Sequence, residues 1–390
     1  GTGPIVGPAI GIIWGWVPAL IWIFVGSIVM GAVHDFGSLV VSLRNEGKSL
    51  SEITGRYVSR RARTIFFLIV FLELLIVIAI FGVVIAAVFS AFPQSVFPVW
   101  CEVPIAVLLG LAVYRWKQNV ALATAAAVTA MYVTVVIGHF LPLAMPSLSV
   151  AASGGEGAGA YAAAGTLTPL AVWIVILLAY AYIASSIPVT ALLQPRDYIN
   201  AWQLFIAMGL LIAGVVAAAL SGGLEIVAPR FQAHPAGAPP IWPFLFVTIA
   251  CGAISGFHCL VASGTTPKQL RTERDSLFVG YGSMLMEAAL ATLVVVAVAA
   301  GIGMAYETDG GTLTGTAAWQ HHYASWTAAG GLGKKVEAVV VGAGNMIGTL
   351  GVPKALGIVI MGVFIASFAG TTLDTATRIQ RYVISELAGD

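Results

Sequence analysis

Charged and imidazole side chains stand inside runs that otherwise carry no charge. His34 and Asp35 lie in VPALIWIFVGSIVMGAVHDFGSLVVSL, Glu73 in TIFFLIVFLELLIVIAIFGVVIAAVF, and Glu287 in VGYGSMLMEAALATLVVVAVAA. A carboxylate facing hydrocarbon is costly, so such residues line a protein-filled or water-filled interior and handle ions, protons or substrate. Burial also resists ionisation, which suits a proton carrier near neutral pH. Glu287, Glu73, Asp35 and His34 are therefore the candidates for proton coupling, with Glu287 first. The alternative for Glu73 and Glu287 is an interhelical hydrogen bond, and for Asp35 a helix-end contact. His34 and Asp35 diverge by about 100° on a helix, so different contacts are expected for them. Asp374 precedes Arg378 by four residues, which predicts a local ion pair.

Two further clusters offer backbone and hydroxyl groups. GTGPIVGP (residues 1–8) holds three glycines and two prolines, and the reading is a broken helix around Gly3, Pro4, Gly7 and Pro8. Non-helical backbone at membrane depth survives where it lines a cavity or is buried in protein; an extramembrane turn is the alternative. Ser185-Ser186-Ile187-Pro188 interrupts a later apolar run in the same manner, or marks a plain proline kink. CGAISGFHCLVASGTTPKQ carries Ser255, His258, Ser263, Thr265 and Thr266 in or just after one run. Hydroxyls and freed carbonyls are hard oxygen ligands suited to Na⁺ or to the surroundings of a carboxylate substrate, although single Ser and Thr residues commonly bond their own helix. His258 is either a proton relay or a packing histidine.

The elements that position these residues are membrane helices. Of 390 residues 59% are hydrophobic and only 9% charged, far below the surface charge of a soluble chain. Mean hydropathy is +0.96. The net charge of +1 says nothing about nucleic acid; no basic stripe or aromatic-interleaved patch appears, and no nucleic-acid partner is expected. Cys251 and Cys259, eight apart, are expected on one helix face as packing residues, and no metal site or cofactor is expected. No GxSxG, Walker loop or HExxH appears, and the external pair His321-His322 is expected to be exposed and inert, so no catalytic residue is assigned and an enzyme is not expected.

About 20 apolar residues cross the hydrocarbon core. The expected spans are a short opening piece at 1–13 and then nine, near 17–42, 64–91, 95–114, 120–142, 169–193, 201–221, 243–263, 276–304 and 355–377. Alternate loops hold fourteen of the 18 Lys/Arg residues, six of them in 43–63 and three in 264–275. That side is cytoplasmic by the positive-inside rule, and the C-terminus is placed there. The chain starts without methionine or signal peptide, inside a motif, and reads as a fragment with an incomplete first helix. The expected organisation is a first repeat at 1–142, a flexible external loop at 143–168, and a second repeat at 169–377 that includes an external segment at 305–354. A cytoplasmic tail follows at 378–390. Within 305–354, KKVEAVVVGAGNMIGTLGVP is a short helix that either re-enters the membrane or lies on its surface. The halves have opposite orientation and each opens on a broken helix, the logic of inverted-repeat transporters.

Several motifs in order resemble the carbon starvation protein family, CstA: GTGPIVGP (1–8), GSIVMGAVHDF with SLRNEGKS following (26–49), LLQPRDYIN (192–200), PFLFVTIACGAISGFHCLVASGTTPKQ (243–269), GYGSMLMEAALA (280–291) and TTLDTATRIQRY (371–382). The resemblance implies a multi-pass transporter of the bacterial cytoplasmic (inner) membrane, with a fold similar to the amino acid–polyamine–organocation type. It further implies uptake of peptides or pyruvate. The expectation is thus an all-α secondary transporter with a five-plus-five inverted repeat, partnered by the lipid bilayer and by a small carboxylate-bearing nutrient, with H⁺ or Na⁺ as coupling ion. A channel would need a continuous wet path, and a membrane sensor would not need deep carboxylates.

Overall fold

The computed structural model describes residues 2–150, 165–308, 310–329 and 331–388. Most of the expected external loop, at 151–164, lies outside the described residues. The described residues are mostly helical, joined by loops and two short antiparallel strand pairs, Leu148–Val150 with Gly165–Leu167 and Tyr306–Thr308 with Gly311–Leu313. The helices are α1 (Gly3–Gly11), α2 (Trp16–Leu43), α3 (Leu50–Tyr57), α4 (Arg60–Ala91), α5 (Pro93–Arg115), α6 (Val120–Phe140), α7 (Pro169–Ser186) and α8 (Leu193–Leu220). They continue as α9 (Ile241–Thr248), α10 (Ala250–Ala253), α11 (Gly256–Ala262), α12 (Leu277–Met304), α13 (Gly315–Tyr323), α14 (Leu332–Gly348) and α15 (Lys354–Ala388). Among the described residues eight helices are long and apolar enough to cross a membrane: α2, α4, α5, α6, α7, α8, α12 and α15.

The chain divides into two compact units. Unit 1 comprises Gly1–Glu73, Ile206–Ile358 and Arg381–Asp390; unit 2 comprises Leu74–Phe205 and Val359–Gln380. Each unit draws residues from both expected repeats.

Local sequence explains several boundaries. Ser49 caps α3 by accepting from the Glu52 amide at 3.3 Å, and Asn119 caps α6 by accepting from the Ala121 amide at 2.9 Å. Thr168 caps α7, with Pro169 in the first turn where its missing N–H has no partner to lose. In unit 1 the two most basic loops meet, as the basic-residue count predicts. Arg44 Nε donates to Glu273 Oε1 at 3.0 Å, and the Gly264 amide donates to Ser42 Oγ at 3.1 Å.

Three expectations about the elements are corrected. Residues 3–11 form a continuous helix, not a broken one. Pro4 occupies its first turn and Pro8 its interior, while the glycines lie where neighbouring chain approaches. A Cβ on Gly7 would lie 2.6 Å from the Thr248 carbonyl oxygen, and one on Gly3 would overlap Cys251. The break comes later, at Gly15, with φ of 112°.

The expected span 243–263 is not one helix. It is α9, α10 and α11, interrupted at Ile249 and again at Ile254–Ser255, where φ/ψ are −150°/84° and −78°/116°. Cys251 and Cys259 consequently sit on different helices. The expected span 169–193 also stops early: Ile187 is extended ahead of Pro188, and α7 ends at Ser186.

The segment 305–354 is built into unit 1. α14 is buried over most of Lys335–Ile347, which rules out a surface helix. Asn345 Nδ2 donates to the carbonyls of Gly301 at 2.9 Å and Ala305 at 2.7 Å, satisfying the end of α12. His322 is buried against the Tyr306 ring, with centroids 4.4 Å apart, so the expectation of an exposed pair holds only for His321.

Two predictions follow from this packing. Gly7→Val should cost about 1–3 kcal/mol through overpacking, whereas Gly209→Ala in α8, with nothing within 4 Å of its Cβ position, should gain about 0.5–1 kcal/mol; unfolding in detergent reads both. Burial, reinforced by the charges of His321 and Lys334, lowers the His322 pKa from 6.5 to about 4. The unfolded chain therefore takes up a proton that the folded chain refuses, and stability present above pH 6.5 is lost as pH falls toward 4. Thermal midpoints across that window should fall less steeply in His322→Gln.

Candidate functional site

Three elements of unit 1 bring acid and imidazole groups together. α2 supplies His34 and Asp35, just after a widened π turn at Gly26–Gly31. α12 supplies Glu287, just after a second π turn at Leu277–Gly282. Such turns insert a residue into the helical repeat and recur at functional sites. α11 supplies His258, and it exists as a separate helix because the backbone breaks at Ile254–Ser255.

The side chains form a line. Asp35, buried at 4% exposure, contacts His258 Nδ1 through Oδ2 at 2.8 Å and His34 Nδ1 through Oδ1 at 3.1 Å. His258 Nε2 lies 2.6 Å from Glu287 Oε2. Adjacent His34 and Asp35 therefore touch, contrary to the expectation that their side chains diverge; rotation about the side-chain bonds closes the backbone angle.

Hydrogen counting defines what this line can do. Both ring nitrogens of His258 face carboxylate oxygens, and each contact needs one hydrogen. A neutral imidazole has a single N–H. The closed arrangement thus holds two hydrogens, either as an imidazolium between two carboxylates or as a neutral ring beside one carboxylic acid. Removing one proton sets two acceptors against each other, and one contact must open. The array can act as a proton-counting latch among α2, α11 and α12.

Other expected residues collect around it. Ser255 is buried and its Oγ lies 3.4 Å from Cys251 Sγ. Gly3 faces Cys251, and Pro4 packs on Gly252, so the opening motif, helical though it is, borders this segment. Pro8 is buried in α1. Glu73 Oε1 lies 3.4 Å from the Cβ position of Gly256, at the start of α11. The hydroxyls of Ser263 and Thr266 are engaged elsewhere. Ser263 Oγ accepts from the Leu50 amide at 3.4 Å, Thr266 Oγ1 donates to the Val261 carbonyl at 2.8 Å, and Thr265 donates its amide to the Ser263 carbonyl. Ser185 and Ser186 are not part of this cluster. They belong to unit 2 and donate to the Tyr182 carbonyl at 2.8 and 2.9 Å. Among the described residues no three His, Cys, Asp or Glu side chains are placed to share a metal ion.

Unit 2 contains a network that the sequence reading missed. Arg196, assigned to a loop, is buried in α8, and its Nη1 donates to Asp374 Oδ2 at 2.6 Å and to the Tyr180 hydroxyl at 2.7 Å. Asp374 is therefore not paired with Arg378, whose guanidinium instead donates to the Ile187 carbonyl at the chain break. Glu102, Ser367 and Asn200 form a second buried contact chain. Glu102 satisfies the criterion used for Glu73 and Glu287, a carboxylate inside an apolar run (VFPVWCEVPIAVLLG), and that signal would have found it. A small cleft in this unit is lined by apolar side chains such as Phe89, Trp100 and Leu177, with Tyr180 and Arg196 as its polar members.

Comparison with known proteins adds an independent line. The family described as "Carbon starvation protein CstA" matches residues 1–390. The "Peptide transporter CstA" of Campylobacter jejuni is 36% identical over 76% of this chain and 40% of its own length. The "Pyruvate/proton symporter BtsT" of Escherichia coli is 33% identical over 76% of this chain and 40% of its own length. A "Peptide transporter CstA" of Mycobacterium tuberculosis is 29% identical over 100% of this chain and 54% of its own length. The chain thus spans about half or less of the length of these curated relatives. No solved structure matches it.

The latch makes a prediction about coupling energies. Removing His258 leaves buried Asp35 and part-buried Glu287 without their shared donor, and His258→Ala should cost on the order of 3 kcal/mol. In a double-mutant cycle of His258→Gln with Glu287→Gln, measured by unfolding in detergent, the coupling should exceed about 1 kcal/mol. Simple additivity would mean that the contact contributes nothing.

Proposed function

Starting from the carbon starvation protein family, CstA, to which this chain belongs, we propose that it is the membrane core of a proton-coupled secondary transporter that imports a small carboxylate-bearing nutrient, a peptide or pyruvate. The observation that carries the reading is the Asp35–His258–Glu287 line. A buried array that closes with two hydrogens and opens on losing one converts proton release into movement of α11 against α2 and α12. The printed names of the relatives, one a pyruvate/proton symporter and others peptide transporters, support the same class.

The proton is favoured over Na⁺ because the hydroxyls of Ser263 and Thr266 bond backbone groups, while the acid–imidazole line is held together by exchangeable hydrogens. Outward opening hydrates the line and lets protons exchange; inward opening releases them with substrate. The proposed frame is a five-plus-five inverted repeat of the amino acid–polyamine–organocation type. It is supported by a helix break in each half, at Gly15 and at Ile187–Leu192. The proposed setting is the bacterial inner membrane with the basic loops and the C-terminus cytoplasmic, supported by the distribution of Lys and Arg.

The test is uptake by proteoliposomes containing the intact protein, with labelled pyruvate and a dipeptide panel, with and without an imposed pH gradient. Uptake of one class should follow the gradient. Glu287→Gln should keep substrate counterflow and abolish gradient-driven accumulation. Undiminished accumulation in Glu287→Gln, Asp35→Asn and His258→Gln alike would remove the proton role from this line. Conductance without accumulation would indicate a channel.

A further inference from the structure

Unit 2 holds a buried acid outside the line described above. Glu102 sits in the middle of α5 and is 1% exposed. Its Oε2 is in hydrogen-bond contact with Ser367 Oγ of α15, and that hydroxyl oxygen lies 2.8 Å from Asn200 Oδ1 of α8. Ser367 is fully buried and Asn200 nearly so. Glu102 Oε1 and Asn200 Nδ2 have no hydrogen-bond partner.

Three oxygens in a row need two hydrogens. The Ser367 hydroxyl supplies one, and an amide oxygen and a carboxylate supply none. The second must come from Glu102 as a carboxylic acid. Charge leads to the same answer. Among the described residues Glu102 makes no ion pair, because Arg196 Nη1 is committed to Asp374 and Tyr180. The titratable groups on the surrounding elements include Tyr132 and His139 on α6, Tyr180 on α7, Arg196 and Asp197 on α8, and Asp374 and Arg378 on α15; Cys101 and Arg115 share α5 with Glu102. Arg196 balances Asp374, Arg378 bonds the Ile187 carbonyl, and Asp197 is exposed. An ionised Glu102 would thus be an unpaired charge in a mid-membrane interior, an arrangement that costs several kcal/mol or more.

We propose that Glu102 is a second proton-binding site, occupied at neutral pH, with Ser367 and Asn200 as its hydrogen-bond partners. It goes beyond the proton role assigned to the Asp35–His258–Glu287 line, and it does not depend on that role. The bound species is a proton carried on a carboxyl oxygen; its donor and acceptor is water that reaches the site when unit 2 opens. Ser367 and Asn200 are positioning residues, because they orient the acid and do not themselves carry the proton.

Infrared spectroscopy of the intact protein in liposomes at neutral pH tests this independently of transport. The wild type should show the carbonyl stretch of a buried protonated carboxylic acid, with a downshift in D₂O. Glu102→Gln should erase that band, Glu287→Gln should leave it in place, and Ser367→Ala should shift it to higher frequency by removing the hydrogen bond. The Gln side chain can donate to Ser367 as the acid does, so Glu102→Gln is expected to fold. If it does not fold, the Ser367→Ala shift decides alone. Loss of carboxylate bands instead of an acid band in Glu102→Gln, or no shift in Ser367→Ala, would overturn the proposal. It would mean that Asn200 presents its amide NH₂ to Ser367 and that Glu102 is ionised.

Discussion

A single imidazole spans a buried and a part-buried carboxylate, and much of unit 1 can be understood as the structure needed to hold it there. His258 reaches both Asp35 and Glu287 only because α11 is a separate short helix, turned by the break at Ile254–Ser255. A continuous helix through 243–263 would fix the direction of His258 by the phase of the whole span. The π turns of α2 and α12 adjust phase in the same way for the two acids. The glycines of α1 then let that helix press against the broken segment, closing backbone groups away from lipid. One polar contact set thus explains a broken helix, two irregular turns and a glycine-rich face.

The membrane class and most spans were legible in sequence because a 20-residue apolar run is a strong, local signal. The deep charged residues were legible for the same reason: each contradicts its surroundings. What could not be read was pairing. Asp374 has Arg378 one turn away in sequence, yet its partner is Arg196, brought by another helix. His34 and Asp35 were separated by a backbone angle that side-chain rotation closes. The motif at 1–8 was misread for a different reason. Proline and glycine signal a break when judged by propensity, but here Pro4 occupies the tolerant first turn and the glycines answer to close packing. Tertiary approach, not backbone freedom, was the reason for those residues. Glu102 was legible and was passed over, whereas Arg196 was hidden by its place beside a proline at what reads as a helix end.

The two units handle buried charge in contrasting ways. Unit 1 places an imidazole ring between two acids, in two contacts that each need a hydrogen. Unit 2 fixes one acid with a guanidinium and a phenol, Asp374 with Arg196 and Tyr180. It leaves the other, Glu102, to hydroxyl and amide neighbours. A permanently charged partner pins a carboxylate, whereas neutral partners leave its protonation state open.

The broken segment also bears on how the chain comes to be in the membrane. Its pieces have 8, 4 and 7 residues, and at about 1.5 Å per residue the longest covers some 12 Å, well short of a hydrocarbon core of about 30 Å. None can partition into lipid as an independent helix, since the freed carbonyls between them would enter hydrocarbon unbonded. The segment therefore takes its place against α1, α2 and α12 once those surfaces exist. α12 is made after it, so residues 241–262 must wait at the translocation machinery or the interface until a later helix arrives. Assembly of unit 1 is in this sense ordered by the break that shapes its polar interior.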